Sequence, residues 1–287
     1  MSQQPPEYWD YEIKANTSVF DLKLKETWAY RDLLTLLVRR DFVSFYKQTI
    51  LGPLWFFIQP IATIVIYTIV FGTLAGISTN GLPKPLFYLA GTILWNYFSD
   101  CLSKTSTVFR DNAGMMGKVY FPRLIMPLSV VCSSLLKLGV QFVLFICLMF
   151  YFKLSGYHFA PNIYILLFPL LVLVLAGLGL GLGMILSAIT TKYRDLSFVV
   201  SFGIPLLMYT TTVIYPLSEV TKRYSAYKWM ILYNPVTPVI ETFRYGFLGT
   251  ASFSWGLLGY SCLFTLVTLV LGTVIFNRVE RSFIDTI

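Results

Sequence analysis

Tyr46-Lys47-Gln48-Thr49-Ile50-Leu51-Gly52-Pro53-Leu54-Trp55-Phe56-Phe57-Ile58-Gln59-Pro60 divides the chain into two unlike parts. Before it lies a charged, amphipathic arm; after it the chain is almost continuously apolar. Lys47 is the last charge before the apolar run, and Gly52-Pro53 interrupts any helix arriving from the arm. Proline is tolerated in the first turn of a new helix, because its missing N–H would have been unpaired there anyway. Trp55 then sits one turn in, at the headgroup depth favoured by aromatic rings with a polar edge. The stretch therefore reads as a hinge between a helix on the cytosolic membrane face and the first membrane-spanning helix.

The totals agree with that reading. Hydrophobic residues make up 56% of the 287 and charged residues only 13%, far from a soluble composition. Several apolar runs reach the roughly 20 residues that a helix needs to cross about 30 Å of hydrocarbon. The expected fold is all-α and integral to the membrane, with six transmembrane helices. They lie at about 53–74, 85–109, 124–151, 163–189, 196–215 and 255–276. Residues 1–26 form a polar N-terminal extension, unlike the basic-then-apolar pattern of a cleavable signal. Residues 27–52 form an amphipathic interface helix. Tyr30, Leu33, Leu34, Leu37 and Val38 fall on one side, and Asp32, Thr35 and Arg39 on the other. Asp41 drifts back toward the apolar side, where the helix must bend or supply a partner. Between spans five and six, Tyr224–Tyr233 and Val236–Leu248 are each too short to cross and each carry charge. They read as two short re-entrant helices packed against protein.

The net charge of +8 raises the question of nucleic acid, but the basic residues are spread over loops between spans. No basic stripe with interleaved aromatics occurs, so no nucleic-acid partner is expected. Most of the 22 Lys and Arg fall in segments placed inside when both termini are cytosolic, as the positive-inside rule requires. Attraction to anionic membrane lipids is a second role for the same charges. Cys101, Cys132, Cys147 and Cys262 stand singly, so they make neither a disulfide framework nor a metal site. The one histidine, His158, sits in a short loop, and no nucleophile–base motif is present. No G-x-x-x-x-G-K-[ST] run occurs, so any nucleotide chemistry of the P-loop kind belongs to another polypeptide. Gly177, Gly179, Gly181 and Gly183 are read as two interleaved G-x-x-x-G pairs that let neighbouring helices approach closely. Asp100 and Lys137 lie well inside spans two and three, where ionisable groups are costly. Three readings stay open for them: a mutual ion pair, an Asp100–Lys104 pair, and a role facing substrate.

The order and spacing of several short motifs resemble one family. They are Trp28-Ala29-Tyr30-Arg31-Asp32-Leu33-Leu34, Arg39-Arg40-Asp41, and Tyr46-Lys47-Gln48 leading to Leu51-Gly52-Pro53-Leu54-Trp55 and Gln59-Pro60. Trp95-Asn96, Asn112, Lys118-Val119-Tyr120-Phe121-Pro122-Arg123 and Pro127 follow, then the glycine run ending in Lys192-Tyr193-Arg194-Asp195, and Asn234-Pro235 with Arg244. Together they resemble the membrane subunit of ABC-2 polysaccharide exporters, with residues 53–287 as the transmembrane domain. Lys137 and residues 1–26 lie outside the pattern.

The resemblance implies an exporter of lipid-linked polysaccharide, O-antigen carried on undecaprenyl diphosphate foremost, in the bacterial inner membrane. It implies a pore formed with a second copy of the chain and driven by two cytosolic ABC ATPase subunits. ATP and magnesium would bind in those subunits, and no cofactor in this chain. Coupling to the ATPase falls to Arg31, Asp32, Arg39, Arg110, Asp111, Tyr193, Arg194 and Asp195. A cytosolic gate that meets the lipid diphosphate falls to Met115, Lys118, Tyr120 and Arg123. Lys118 and Arg123 suit phosphate oxygens, and equally satisfy the positive-inside rule. Spans one and five would line the channel through Trp55, Gln59, Tyr67, Phe198, Phe202 and Tyr209. The same aromatics are also compatible with lipid contact. Capsule or teichoic-acid export, drug or lipid export, a membrane-embedded glycan-modifying enzyme and a membrane scaffold are the alternatives.

Overall fold

The computed structural model describes residues 24–47, 49–116, 121–193, 195–223 and 225–284. These residues form helices and turns, with no strand among them. The arm consists of α1 (Leu24–Ala29) and α2 (Arg31–Tyr46). Gly52 adopts φ +52°, a left-handed value that glycine reaches without a Cβ penalty. A single 3-10 turn, Gly52–Leu54, then opens α3 (Trp55–Tyr67), which continues as a π-helical stretch over Thr68–Leu74. The expected break between the arm and the long apolar helix is therefore present. α4 (Lys84–Ser106), α5 (Val108–Asp111), α6 (Ala113–Met116) and α7 (Ile125–Leu154) follow. A 3-10 turn at Ile163–Leu167 leads into α8 (Phe168–Lys192), then α9 (Leu196–Met208). α10 (Leu217–Arg223), α11 (Lys228–Leu232), α12 (Thr237–Leu248) and α13 (Trp255–Ile284) complete the chain.

Among the described residues, four segments are long and apolar enough to cross a membrane: Gly52–Leu74, Ile125–Leu154, Ile163–Lys192 and Trp255–Arg278. They coincide with four of the six expected spans. The other two depart from the expectation for identifiable reasons. α4 has 23 residues, about 35 Å of helix, but its second half carries Asn96, Ser99, Asp100, Ser103 and Lys104. α9 has only 13 residues, about 20 Å, and stops at Met208 rather than near Tyr215. After it the hydroxyls of Thr210 and Thr211 bond back to the carbonyls of Leu207 and Met208. α10 was not foreseen: the sequence reading placed no element between span five and Tyr224.

α4 is the centre of the bundle, with nearly every residue from Leu86 to Leu102 buried. α8 lies between α4 and α13 and makes its most extensive packing with those two helices. The glycine run explains how. A Cβ on Gly179 or Gly183 would stand 2.7 Å from Cys101 Cβ or 2.6 Å from Thr105 Cβ, both on α4. A Cβ on Gly177 or Gly181 would instead strike Thr265 or the Thr268–Leu269 backbone of α13. The two G-x-x-x-G pairs thus serve opposite faces of one helix, and Gly272 of α13 meets Gly181 in the same contact.

A second, smaller core closes one end of the bundle. Leu37 of α2 is fully buried there among Phe109, Phe121, Ile125 and Phe276, with Tyr30, Leu33 and Leu34 alongside. Phe109 and Phe276 stack at 4.5 Å. The apolar stripe read on α2 is therefore covered by protein, chiefly α7. Asp41 finds its partner next door, in an Arg40–Asp41 ion pair at 2.8 Å.

Candidate functional site

Three segments far apart in sequence meet at the end of the bundle where α2 lies. Burial of Leu37 turns the opposite face of α2 outward, so Arg31, Asp32 and Arg39 are exposed. α5 presents Arg110 and Asp111, both half in solvent and paired at 3.2 Å, with Asp111 also accepting from Thr107 Oγ1 at 2.6 Å. The C-terminus of α8 presents Tyr193 and Asp195, with Lys192 Nζ 5.2 Å above the Tyr193 ring. Thr190 Oγ1 donates to the Ser106 carbonyl at 2.6 Å and ties this end of α8 to the end of α4. Arg194 lies outside the described residues.

The candidate gate adjoins the same core. Met115 is half-buried against it, and Phe121 and Pro122 are buried. Arg123, half-buried, opens the turn into α7, where its carbonyl accepts from Met126 N–H at 3.1 Å. Lys118 and Tyr120 lie outside the described residues.

The candidate channel residues split into two kinds. Phe198 and Phe202 on α9 and Tyr209 at its C-cap are 72%, 58% and 51% exposed and continue one helical stripe. Trp55 and Gln59 are exposed on α3. Tyr67 instead packs inward. Its hydroxyl reaches Met208 Sδ at 3.6 Å and its ring meets Tyr88 edge-on at 6.1 Å, joining α3 to α4 and α9. One copy of the chain thus leaves two adjacent faces uncovered, and each carries polar atoms as well as apolar ones.

Residues 32–248 match the ABC-2 type transporter family. The chain belongs to that family. The O-antigen export system permease protein RfbA of Myxococcus xanthus is 31% identical over 222 residues, 77% of this chain and 82% of that protein. A protein of the same name from Klebsiella pneumoniae is 28% identical over 268 residues, 92% of this chain and 98% of that protein. The polysialic acid transport protein KpsM of Escherichia coli is 24% identical over 240 residues, 82% and 89% of the two chains. Family membership and the four long apolar helices make this a membrane-embedded transporter subunit.

The sequence placed Arg244 on a short re-entrant helix and in the family motif, but did not reveal the polar cluster it makes among the described residues of this ABC-2 subunit. Arg244 is 1% exposed. Its Nη1 donates to the Thr212 carbonyl, and its Nη2 to the carbonyls of Val213 at 2.9 Å and Phe87 at 3.1 Å. Its guanidinium stacks 3.7 Å from the Phe87 ring centroid. One side chain thereby satisfies backbone carbonyls on α4 and on the irregular chain after α9, where water cannot reach. Glu241, one turn earlier, stands 3.7 Å from Nη1. Nearby, Asn234 Nδ2 donates to Thr210 Oγ1 at 2.9 Å, and its Oδ1 accepts from Val236 N–H at 3.0 Å, anchoring Asn234-Pro235. A Glu and an Arg three apart in an otherwise apolar helix were the available signal. Of the readings left open for Asp100, the structure shows the pair with Lys137, at 2.9 Å.

Proposed function

We propose that this chain is the permease of an ATP-driven exporter of lipid-linked polysaccharide, O-antigen on undecaprenyl diphosphate foremost, in a bacterial inner membrane. The observation that carries the reading is the similarity to an O-antigen export permease across nearly the whole of both chains. The exposed stripe of α9 supports it. Phe198, Phe202 and Tyr209 offer flat faces on which sugar rings stack without fixed register, beside Gln59 on α3. A helix facing only lipid has no use for an exposed amide.

In this reading two copies face each other across the uncovered sides of α3 and α9 and enclose the channel. Two ABC ATPase subunits, which hold ATP and magnesium, dock on the end that presents Arg31, Asp32, Arg39, Arg110, Asp111, Tyr193 and Asp195, with Arg194 assigned the same role from the sequence. That end faces the cytosol, as do both termini. Met115, Lys118, Tyr120 and Arg123 form the entrance that meets the lipid diphosphate. α4 and α9, with the irregular chain beyond α9, complete six crossings. α11 and α12 dip in from the opposite face, held by Arg244 and Asn234 rather than by lipid. The likeness to KpsM favours one second reading, export of a capsule-type acidic polymer.

Deleting the gene for this chain tests the proposal. The expected outcome is loss of surface polysaccharide with lipid-linked polymer retained inside, and co-purification of the tagged chain with a P-loop ATPase. Unchanged surface polymer, or a chain that purifies without an ATPase, overturns it.

A further inference from the structure

α4 has one uncovered face of its own. From Leu86 to Ser106 the helix is buried except at Asn96, Ser99, Asp100, Ser103 and Lys104, and Thr107 at its C-cap continues the series. Spacings of three and four residues put all six on one side of the helix. Every one of them is polar. The stripe rises over eleven residues, about 16 Å, from the end of the bundle that carries α2 and α5. That is about half of a hydrocarbon layer roughly 30 Å thick. α7 behaves in the opposite way: its uncovered face carries Leu135, Leu136, Val143 and Phe150, as a surface turned to lipid does.

The protein itself does not use up the polar groups of this stripe. Elsewhere on α4, the hydroxyls of Thr92 and Ser106 bond back to carbonyls of their own helix, at 2.9 and 2.6 Å, which satisfies them in apolar surroundings. The Ser99 and Ser103 hydroxyls and the Asn96 amide have no hydrogen-bond partner among the described residues. Lys137 holds Asp100 at 2.9 Å and cancels its charge, yet the two side chains stay 16% and 25% exposed. Hydrocarbon offers no partner to amides and hydroxyls, so a face of this kind inside a membrane borders water or another polar surface. In the reading above, the second copy covers α3 and α9, which leaves the stripe of α4 to water.

We propose that this face of α4 is the wall of a hydrated groove along which sugar units of the polymer pass from the cytosolic end to mid-membrane. The proposal deepens the exporter reading above and rests on it for the identity of the cargo. Asn96, Ser99 and Ser103 each donate and accept, so they suit sugar hydroxyls arriving in any orientation. Standing about one turn apart, they pass such hydroxyls from one to the next. With the charge of Asp100 cancelled by Lys137, the middle of the stripe holds no bare carboxylate to arrest a sliding chain. α9 contributes stacking, and α4 contributes hydrogen bonds.

Cysteine accessibility of the full chain in membrane vesicles is the test. Asn96→Cys, Ser99→Cys and Ser103→Cys are treated from both membrane faces with a membrane-impermeant methanethiosulfonate. The reacting species is the thiolate, which forms where water reaches the sulfur. At least two of the three are expected to label well above the natural chain, whose own cysteines set the background. Leu136→Cys, on the apolar face of α7, should stay at that background. Labelling of one or none overturns the groove, and so does equal labelling of Leu136→Cys. Export by Ser99→Leu combined with Ser103→Leu separates passage of sugar from hydration alone. It is expected to fall about tenfold, the loss of roughly one hydrogen-bonded contact, while the thermal midpoint holds or rises. Asn96→Ala, which only removes the amide, reads the same loss should the double variant fail to fold. Unchanged export by either folded variant overturns the proposal. Surface polysaccharide that persists on gene deletion would overturn the exporter reading alone, since thiol labelling does not depend on what is exported.

Discussion

Arg244 shows how much one side chain can decide. α9 ends at Met208, leaving carbonyls of Thr212 and Val213 buried without a helical partner, and Arg244 supplies their donors. Arg244→Met removes those donors and leaves Glu241 uncompensated. Loss of one member of a buried charged pair costs about 3–5 kcal/mol. The expected result is a chain that loses most of its yield in detergent and unfolds at markedly lower temperature. Unfolding at the natural temperature would refute the pinning role. The Asp100–Lys137 pair makes a different prediction, because both side chains are partly exposed. Lys137→Met and Asp100→Asn each lower stability, while the double variant loses less than their sum, with a coupling of about 0.5–3 kcal/mol. Export by the stable Lys137→Met chain is expected to continue. Export lost at normal stability would assign the pair to substrate instead.

Between helices, glycine spacing sets distance. α8 could not lie between α4 and α13 with any larger residue at the contact points, since a Cβ at Gly181 would stand 2.7 Å from the Thr268 carbonyl carbon. Gly181→Ala must push α13 away, at about 1–3 kcal/mol for overpacking, and lowers the thermal midpoint in nanodiscs. Gly139→Ala on α7 is the matched control. Nothing lies within 4 Å of its added Cβ, so its midpoint should hold or rise. Equal behaviour of the two variants would show that the glycine run does not govern the packing. α2 illustrates the limit of periodicity. The pattern identified the buried stripe correctly, but whether lipid or protein covers it depends on α7 and α5.

The single chain leaves α3 and α9 uncovered, although Tyr67 and Met208 hold them side by side. If a second copy closes a channel over these faces, the exposed aromatics of α9 touch substrate and the coupling end does not sense them. Phe202→Ala and Tyr209→Ala are therefore expected to slow export several-fold while binding the ATPase as before. Surface-polymer quantification and ATPase co-purification measure the two effects separately. Unchanged export by both variants would place these rings against lipid.

The all-helical membrane class, the Gly52-Pro53 hinge, four of the long helices and the two-faced glycine run were all legible in the chain. Each follows from local chemistry: apolar length against bilayer thickness, proline and glycine at a helix start, and the period of 3.6 residues. Arg244 and Glu241 were not legible as a cluster, nor was the early end of α9. Their meaning depends on carbonyls and hydroxyls contributed by segments 30 to 160 positions away. The sequence alone settled which stretches avoid water. Only the tertiary structure decided which buried polar groups find partners and which, like Glu241 Oε1, are left without a hydrogen bond. That difference has one physical cause: apolar burial is set by composition along the chain, whereas a hydrogen bond requires two groups brought together in space.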